Sequence, residues 1–232
     1  MNNKPLIGIV GRPSVSTVDW GYINISEDIR RLVIRNGGLS IGIIPTALEV
    51  DFDKNDMEDE TQLTFQEKKD LLKIVKNCQG IIIQGGLSSA GYEVQVAKLA
   101  IKDKIPLLGI CAGFNNIIEA FGGSVYKLKN NKVHNKFGKK YAHFVEIRNN
   151  SLLFSLLEKE KIRVNSIHTI VADESDIKGL NVSAVSDDGL VEAVESISDN
   201  FILGIKWHPE IMTSYSPIMN NIFERFVKEC KN

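Results

Sequence analysis

The stretch Pro106-Leu107-Leu108-Gly109-Ile110-Cys111-Ala112-Gly113-Phe114-Asn115 sets a cysteine where an apolar run ends and a helical pattern begins. A strand that turns sharply into a helix exposes one side chain at the strand tip. That arrangement is the nucleophile elbow, usually written Gly-x-Ser-x-Gly. With Cys111 in the serine's place the nucleophile is a thiol, and Gly109 and Gly113 are expected to permit the strained turn. The helix start supplies backbone N–H groups and the positive end of a dipole, which lower a thiol pKa and stabilise an oxyanion. The chemistry this suits is acyl transfer. The competing reading is a buried structural cysteine.

A thiol nucleophile needs a base, and the base needs a group that fixes its tautomer. Of His134, His143, His168 and His208, the last is best placed, because it follows an apolar strand just as Cys111 does. Glu210 stands two residues on, and along an extended segment residues i and i+2 point to the same side. Pro209 between them is expected to keep residue 208 extended. Glu210 would then hold one ring nitrogen of His208 while the other faces Cys111. Gly85-Gly86 closes another apolar run, and glycines beyond a strand let backbone N–H groups approach a ligand. The N–H groups of Gly86 and Ala112 would together form an oxyanion hole.

The elements that must position these groups alternate. Leu6 to Val10 reads as a buried strand, and Ser26 caps a helix with Ile29, Leu32 and Val33 on one face, stopped by Gly37-Gly38. Ile41 to Ile44 is a second strand. Thr64-Phe65-Gln66-Glu67 fits a capping box that opens an amphipathic helix. Gly80 to Ile83 is a third strand, Tyr92 to Asp103 a helix, Ile105 to Ile110 the strand carrying Cys111, and Asn115 to Phe121 a helix. This order predicts an α/β fold with a mainly parallel central sheet, helices on both faces, and ligands beyond the carboxyl ends of the strands. After Val125 the texture changes to antiparallel strands: His143 to Ile147, then Asn181 to Val185 and Leu190 to Val194 joined by a hairpin signal, then Ile202 to Trp207. Ser216-Pro217 is expected to open a terminal helix. Residues 1–232 are expected to form one domain.

Composition excludes several functions. With 28 basic and 29 acidic residues the net charge is −1, which leaves no footprint for nucleic acid or a membrane surface. No run approaches the roughly 18 apolar residues of a spanning helix, and no signal-peptide core follows Met1. Cys78, Cys111 and Cys230 form neither a disulfide framework nor a Cys-x-x-Cys pattern, so a reducing, cytoplasmic location is expected. Gly-x-Gly-x-x-Gly is absent, and His208 and Glu210 lack further ligands at suitable spacing, so neither a cofactor nor a metal is expected. The acidic run from Glu49 to Glu60 reads as a solvated loop, as does the lysine-rich stretch from Lys127 to Lys140 with His134. His143 reads as a packed or hydrogen-bonded strand histidine. Glu93, at the start of a helix, is accounted for by the dipole alone.

Taken together, Ile7-Gly8-Ile9, Gln84-Gly85-Gly86, Gly109-Ile110-Cys111-Ala112-Gly113, Val164-Asn165-Ser166-Ile167-His168 and Gly204-Ile205-Lys206-Trp207-His208-Pro209-Glu210 resemble the class I glutamine amidotransferase superfamily. The resemblance is greatest to its free-standing hydrolases, the γ-glutamyl-γ-aminobutyrate hydrolase-like peptidases of family C26. It implies a flavodoxin-like fold and a Cys111–His208–Glu210 triad cleaving a γ-glutamyl amide through a thioester. It also implies an oxyanion hole at Gly86 and Ala112, and substrate contacts from Gly85, Asn115, Ser166, Ile167 and His168. The chain departs from the family pattern at Ala112, at Asn115, at Thr169-Ile170 and at Leu87-Ser88, which alters the recognition shell more than the chemistry.

The implied partner is a small-molecule γ-glutamyl substrate, with a homodimer left open. One alternative is a glutaminase subunit that passes ammonia to a separate synthase. Another is a non-catalytic binding or regulatory protein on the same scaffold.

Overall fold

Runs of four or five aliphatic residues are too short for amphipathic helices, and those around Ile7, Ile81 and Leu107 form strands buried on both faces. The computed structural model describes residues 4–15, 18, 20–48, 63–86, 91–129 and 132–231. In chain order the elements are β1 (Leu6–Val10), β2 (Arg12–Val15), β3 (Gly21–Asn24), α1 (Glu27–Arg35), β4 (Leu39–Ile43), α2 (Phe65–Val75), β5 (Gly80–Ile83), α3 (Gly91–Lys102), β6 (Leu107–Ile110) and α4 (Ala112–Ala120). There follow β7 (Tyr126–Lys127), β8 (His143–Ile147), α5 (Leu152–Leu157), β9 (Lys161–Val164), β10 (Ile170–Val171), β11 (Leu180–Ser186), β12 (Val191–Ser196), β13 (Ile202–Ile205), α6 (Pro209–Met212) and α7 (Asn220–Glu229).

Nine strands make one sheet in the order β4-β1-β5-β6-β13-β12-β11-β8-β9. The first five are parallel, and from β13 onward every pairing is antiparallel. Strand alternation divides the core. Ile82, Leu108, Leu203 and Ile205 pack with α1 and α7, whereas Ile81, Ile83, Leu107 and Ile202 pack with α2, α3 and α4. The expected α/β sheet with an antiparallel C-terminal extension is therefore what forms. The capping residues also act as read: the Ser26 hydroxyl accepts from the Ile29 N–H, and Thr64 and Glu67 complete a capping box.

The structure adds a hairpin of β2 and β3 between β1 and α1, which the sequence did not signal. Pro13 argues against an interior strand, and such a two-stranded ribbon tolerates it because no third strand needs an N–H donor at that position. Pro217 starts a short 3-10 turn, Pro217–Met219, and the terminal helix begins only at Asn220. The acidic run from Glu49 to Glu60 and residues Leu87 and Ser88 lie outside the described residues. No helix among the described residues is long and apolar enough to cross a membrane. All three cysteines are free and buried.

Candidate active site

Four adjacent strands end at one place. β1 runs into Gly11 and Arg12, β5 into Gln84-Gly85-Gly86, β6 into Cys111, and β13 into Lys206 and His208. Gln84 ties this rim together: its carboxamide oxygen accepts from the Ser26 N–H at 2.7 Å, and its nitrogen donates to the carbonyls of Val10 and Asn24 at 2.9 Å each.

Cys111 sits between β6 and α4 with φ 54° and ψ −99°, in the left-handed region that a side chain rarely adopts. The backbone strain lies on the cysteine itself. Gly109 and Gly113, expected to supply the turn's freedom, do not have positive φ. They are needed for proximity. A Cβ on Gly113 would meet the Ile83 carbonyl oxygen, and one on Gly109 would lie 2.5 Å from the Gly113 oxygen. Helix α4 is thereby seated directly on the β5–β6 strand pair, with its first-turn N–H groups beside the thiol. The Cys111 N–H donates to the Ile205 carbonyl at 2.8 Å, which locks the elbow to β13.

His208 is 14% exposed at its side chain, and its Nδ1 lies 2.7 Å from Glu210 Oε1. The partner was expected and the path was not. Residues 208–210 are not extended: Pro209 is the first residue of α6, His208 is its N-cap, and Glu210 reaches the ring from the first helical turn. A residue before proline is kept out of the helical region, here at φ −106° and ψ 83°. Asn165 clamps the same residue. Its Oδ1 accepts from the His208 N–H at 2.8 Å and its Nδ2 donates to the His208 carbonyl at 3.0 Å. A Cβ on Gly85 would come within 2.6 Å of His208 Cε1 and 3.2 Å of Cys111 Cβ, so this glycine makes room for the imidazole.

Burial opposes ionisation of the Cys111 thiol. The charge and hydrogen bond of His208, followed by the charges of Lys206 and Arg12, outweigh it and bring the pKa down to about 7. Burial would likewise strip a proton from His208, but the charges of Glu210 and Cys111, with hydrogen bonds to both, hold its pKa well above the ordinary value. As pH rises through about 7 the thiol therefore ionises beside a protonated imidazole.

A small cleft opens over the thiol, walled by Gly86, Ala112, Asn115, Ile167 and His168, with Asn135, Thr169, Ile170 and Lys206 completing it. Ser166 is turned away: it is fully buried and its hydroxyl donates to the His134 carbonyl at 2.7 Å. Burial pushes His168 down to about 4, so it enters the cleft wall as a neutral imidazole. Asn115 does not offer a free amide oxygen, because Lys206 Nζ donates to it at 2.6 Å. Burial lowers Lys206 to about 8. Behind Gly86 lies Arg12, paired at 3.2 Å with the fully buried Glu93. His143 is a buried strand residue whose Nδ1 contacts the Phe144 carbonyl at 3.1 Å. His134 corrects its expectation: it is wholly buried, not solvated.

Lys206, Arg12 and Asn165 were missed as site residues. The signal was present for Lys206, since it is a charge inside an apolar strand pattern.

The sequence profile of peptidase C26 matches residues 88–210. The chain belongs to the peptidase C26 family. Within the class I glutamine amidotransferase-like superfamily, C26 membership carries a reaction class, hydrolysis of amide bonds. A Schizosaccharomyces pombe protein named as a glutamine amidotransferase is 29% identical over 91% of this chain and 84% of its own length. The γ-glutamyl-γ-aminobutyrate hydrolase PuuD of Escherichia coli is 33% identical over 59% of this chain, and that alignment spans 58% of PuuD. The glutaminase domain of Trypanosoma brucei CTPS with bound acivicin shares the fold at TM-score 0.64 and 21% identity, over 98% of this chain and 94% of that one. A Thermotoga maritima glutamine amidotransferase does so at TM-score 0.63 and 14% identity, over 97% and 99%.

Proposed function

We propose that this C26 protein is a cysteine hydrolase that cleaves a γ-glutamyl amide through a Cys111 thioester, with His208 as base and Glu210 as its orienter. The observation that carries this reading is the thiol on a strained elbow, facing an imidazole whose other nitrogen rests on a carboxylate at 2.7 Å. The thiolate attacks the γ-carbonyl, and the oxyanion forms between the N–H groups of Ala112 and Gly86. Imidazolium His208 gives its proton to the leaving amine as the C–N bond breaks. Neutral His208 then takes a proton from water, which attacks the thioester and releases glutamate and the thiol. Lys206 in the cleft wall favours an anionic substrate group, as the α-carboxylate of a γ-glutamyl group requires. A small soluble substrate in a reducing cytoplasm accords with the free thiols and the near-neutral charge.

Incubation with a panel of γ-glutamyl amides is expected to release glutamate, and Cys111→Ala to abolish it. An electrophilic glutamine analogue should label Cys111 alone. Equal rates for the parent and Cys111→Ala across the panel would sink the proposal. Glu210→Gln keeps a hydrogen-bond acceptor but removes the charge that supports imidazolium, so turnover should fall roughly 10² to 10⁴-fold. Full activity in that variant would remove Glu210 from the mechanism.

The second reading is an ammonia-donating subunit. It is favoured by the match to CTP synthase of Saccharolobus solfataricus, 26% identical over 94% of this chain but only 44% of that enzyme. Glutaminase activity appearing only with a co-purified synthase would select it over the first.

A further inference from the structure

Beneath the cleft wall the described residues place three histidines and a glutamate in contact, all buried: His134, His143, His168 and Glu192. His134 lies within the lysine-rich stretch, His143 opens β8, His168 lies between β9 and β10, and Glu192 is on β12. One ligand atom from each falls within 4.8 Å of the others. Glu192 Oε1 is 3.4 Å from His134 Nδ1, 3.6 Å from His143 Nε2 and 3.6 Å from His168 Nε2. These separations are long for hydrogen bonds, and none of these atoms has a hydrogen-bond partner. Tetrahedral zinc at ordinary bond lengths sets its ligand atoms about 3.3 Å apart, so the imidazoles would close slightly on the carboxylate, and ligand atoms now spread over as much as 4.8 Å would draw together.

The outer contacts of His134 and His143 agree, while His168 Nδ1 has no hydrogen-bond partner. His134 turns its Nε2 to the Asp188 carboxylate at 3.0 Å, and His143 its Nδ1 to the Phe144 carbonyl at 3.1 Å. A metal-binding histidine fixes its ring in this way, with the far nitrogen on a carboxylate or carbonyl and the near one aimed at the ion. The wholly buried Glu192 carboxylate needs positive charge beside it, which a bound cation or protons on the facing imidazoles would supply.

We infer that His134, His143, His168 and Glu192 form a closed metal site for a divalent transition ion, zinc in the first instance. Three imidazoles and one carboxylate suit zinc over calcium or magnesium, which prefer oxygen ligands. Four protein ligands leave no open position, so the ion has a structural role. It ties together four segments distant in sequence, one of which, at His168, continues into the cleft wall at Thr169 and Ile170. The site does not depend on the γ-glutamyl reading, and this proposal departs from the expectation that no metal binds.

The full chain carrying Cys111→Ala, which keeps the active-site thiol from acting as a ligand, would be stripped with chelator, dialysed against Zn²⁺ and analysed for metal. One equivalent per chain is expected. Co²⁺ should give the intense visible bands of a tetrahedral nitrogen–oxygen site with no sulfur charge transfer. Glu192→Gln and His134→Ala should each weaken zinc binding by tenfold or more. If neither variant folds, the unmutated cluster decides, since its Tm should rise with Zn²⁺ and fall on chelation, alongside the Co²⁺ spectrum. No bound metal, a Co²⁺ spectrum of octahedral type, or zinc retained at full affinity in both folded variants would overturn the assignment.

Discussion

His208→Asn should lower turnover of a γ-glutamyl amide by ~10⁴-fold, because the same side chain activates the thiol and protonates the leaving amine. The variant has a second readout that does not depend on the substrate. In the parent, Cys111 ionises near pH 7, so alkylation by iodoacetamide should accelerate as pH rises through about 7 and then level off. The sign follows from the causes. Burial raises the thiol pKa, and the charge of His208 is the largest effect opposing it. With asparagine in place the burial remains, while only Lys206 and Arg12 still act to lower the pKa. The alkylation midpoint should then move up. A midpoint that stays near 7 would show that His208 does not control the thiol.

Gly113→Ala should destabilise the protein by about 3 kcal/mol, the upper range of overpacking costs. For a chain of this size that corresponds to a Tm lower by roughly 6–12 °C. The methyl group would meet the Ile83 carbonyl and lie 2.8 Å from the Ile83 carbonyl carbon and 3.0 Å from its Cβ, and strand backbone cannot step aside as a side-chain end can. The only relief is to lift α4 from the sheet, which moves Cys111 and the N–H of Ala112 together, so activity should fall with stability. Gly122→Ala serves as the control. Its φ of 80° carries a backbone cost of about 1–2 kcal/mol, but a Cβ there meets nothing within 4 Å. Calorimetry on the two variants separates the effects, and equal Tm losses would show that the α4–β5 contact is not the reason for glycine at 113.

Much of the fold was readable in advance because its signals are local. The capping box at Thr64, the Ser26 cap and the apolar β1, β5 and β6 runs each depend on a few neighbouring residues. The pairing of Cys111 with His208 was also readable, because both follow apolar strands, and parallel strands in one sheet end at the same edge. What failed was the local reason attached to a correct contact. Glu210 does meet His208, but through a helical turn, and Gly109 and Gly113 do serve the elbow, but by letting a helix touch a sheet.

The chain order of residue types was sufficient to specify the elbow at Cys111 and the meeting of His208 with Glu210 beside it, since each is carried by a short segment at a strand exit. The His134–His143–His168–Glu192 cluster could not be specified that way. Its members come from four segments spanning 59 positions, 134 to 192, and only the antiparallel half of the sheet brings them together. His134 looked solvated because its neighbours in sequence are lysines. It is buried because its neighbours in space are two imidazoles and a carboxylate, and burial is decided by packing across the sheet rather than along the chain.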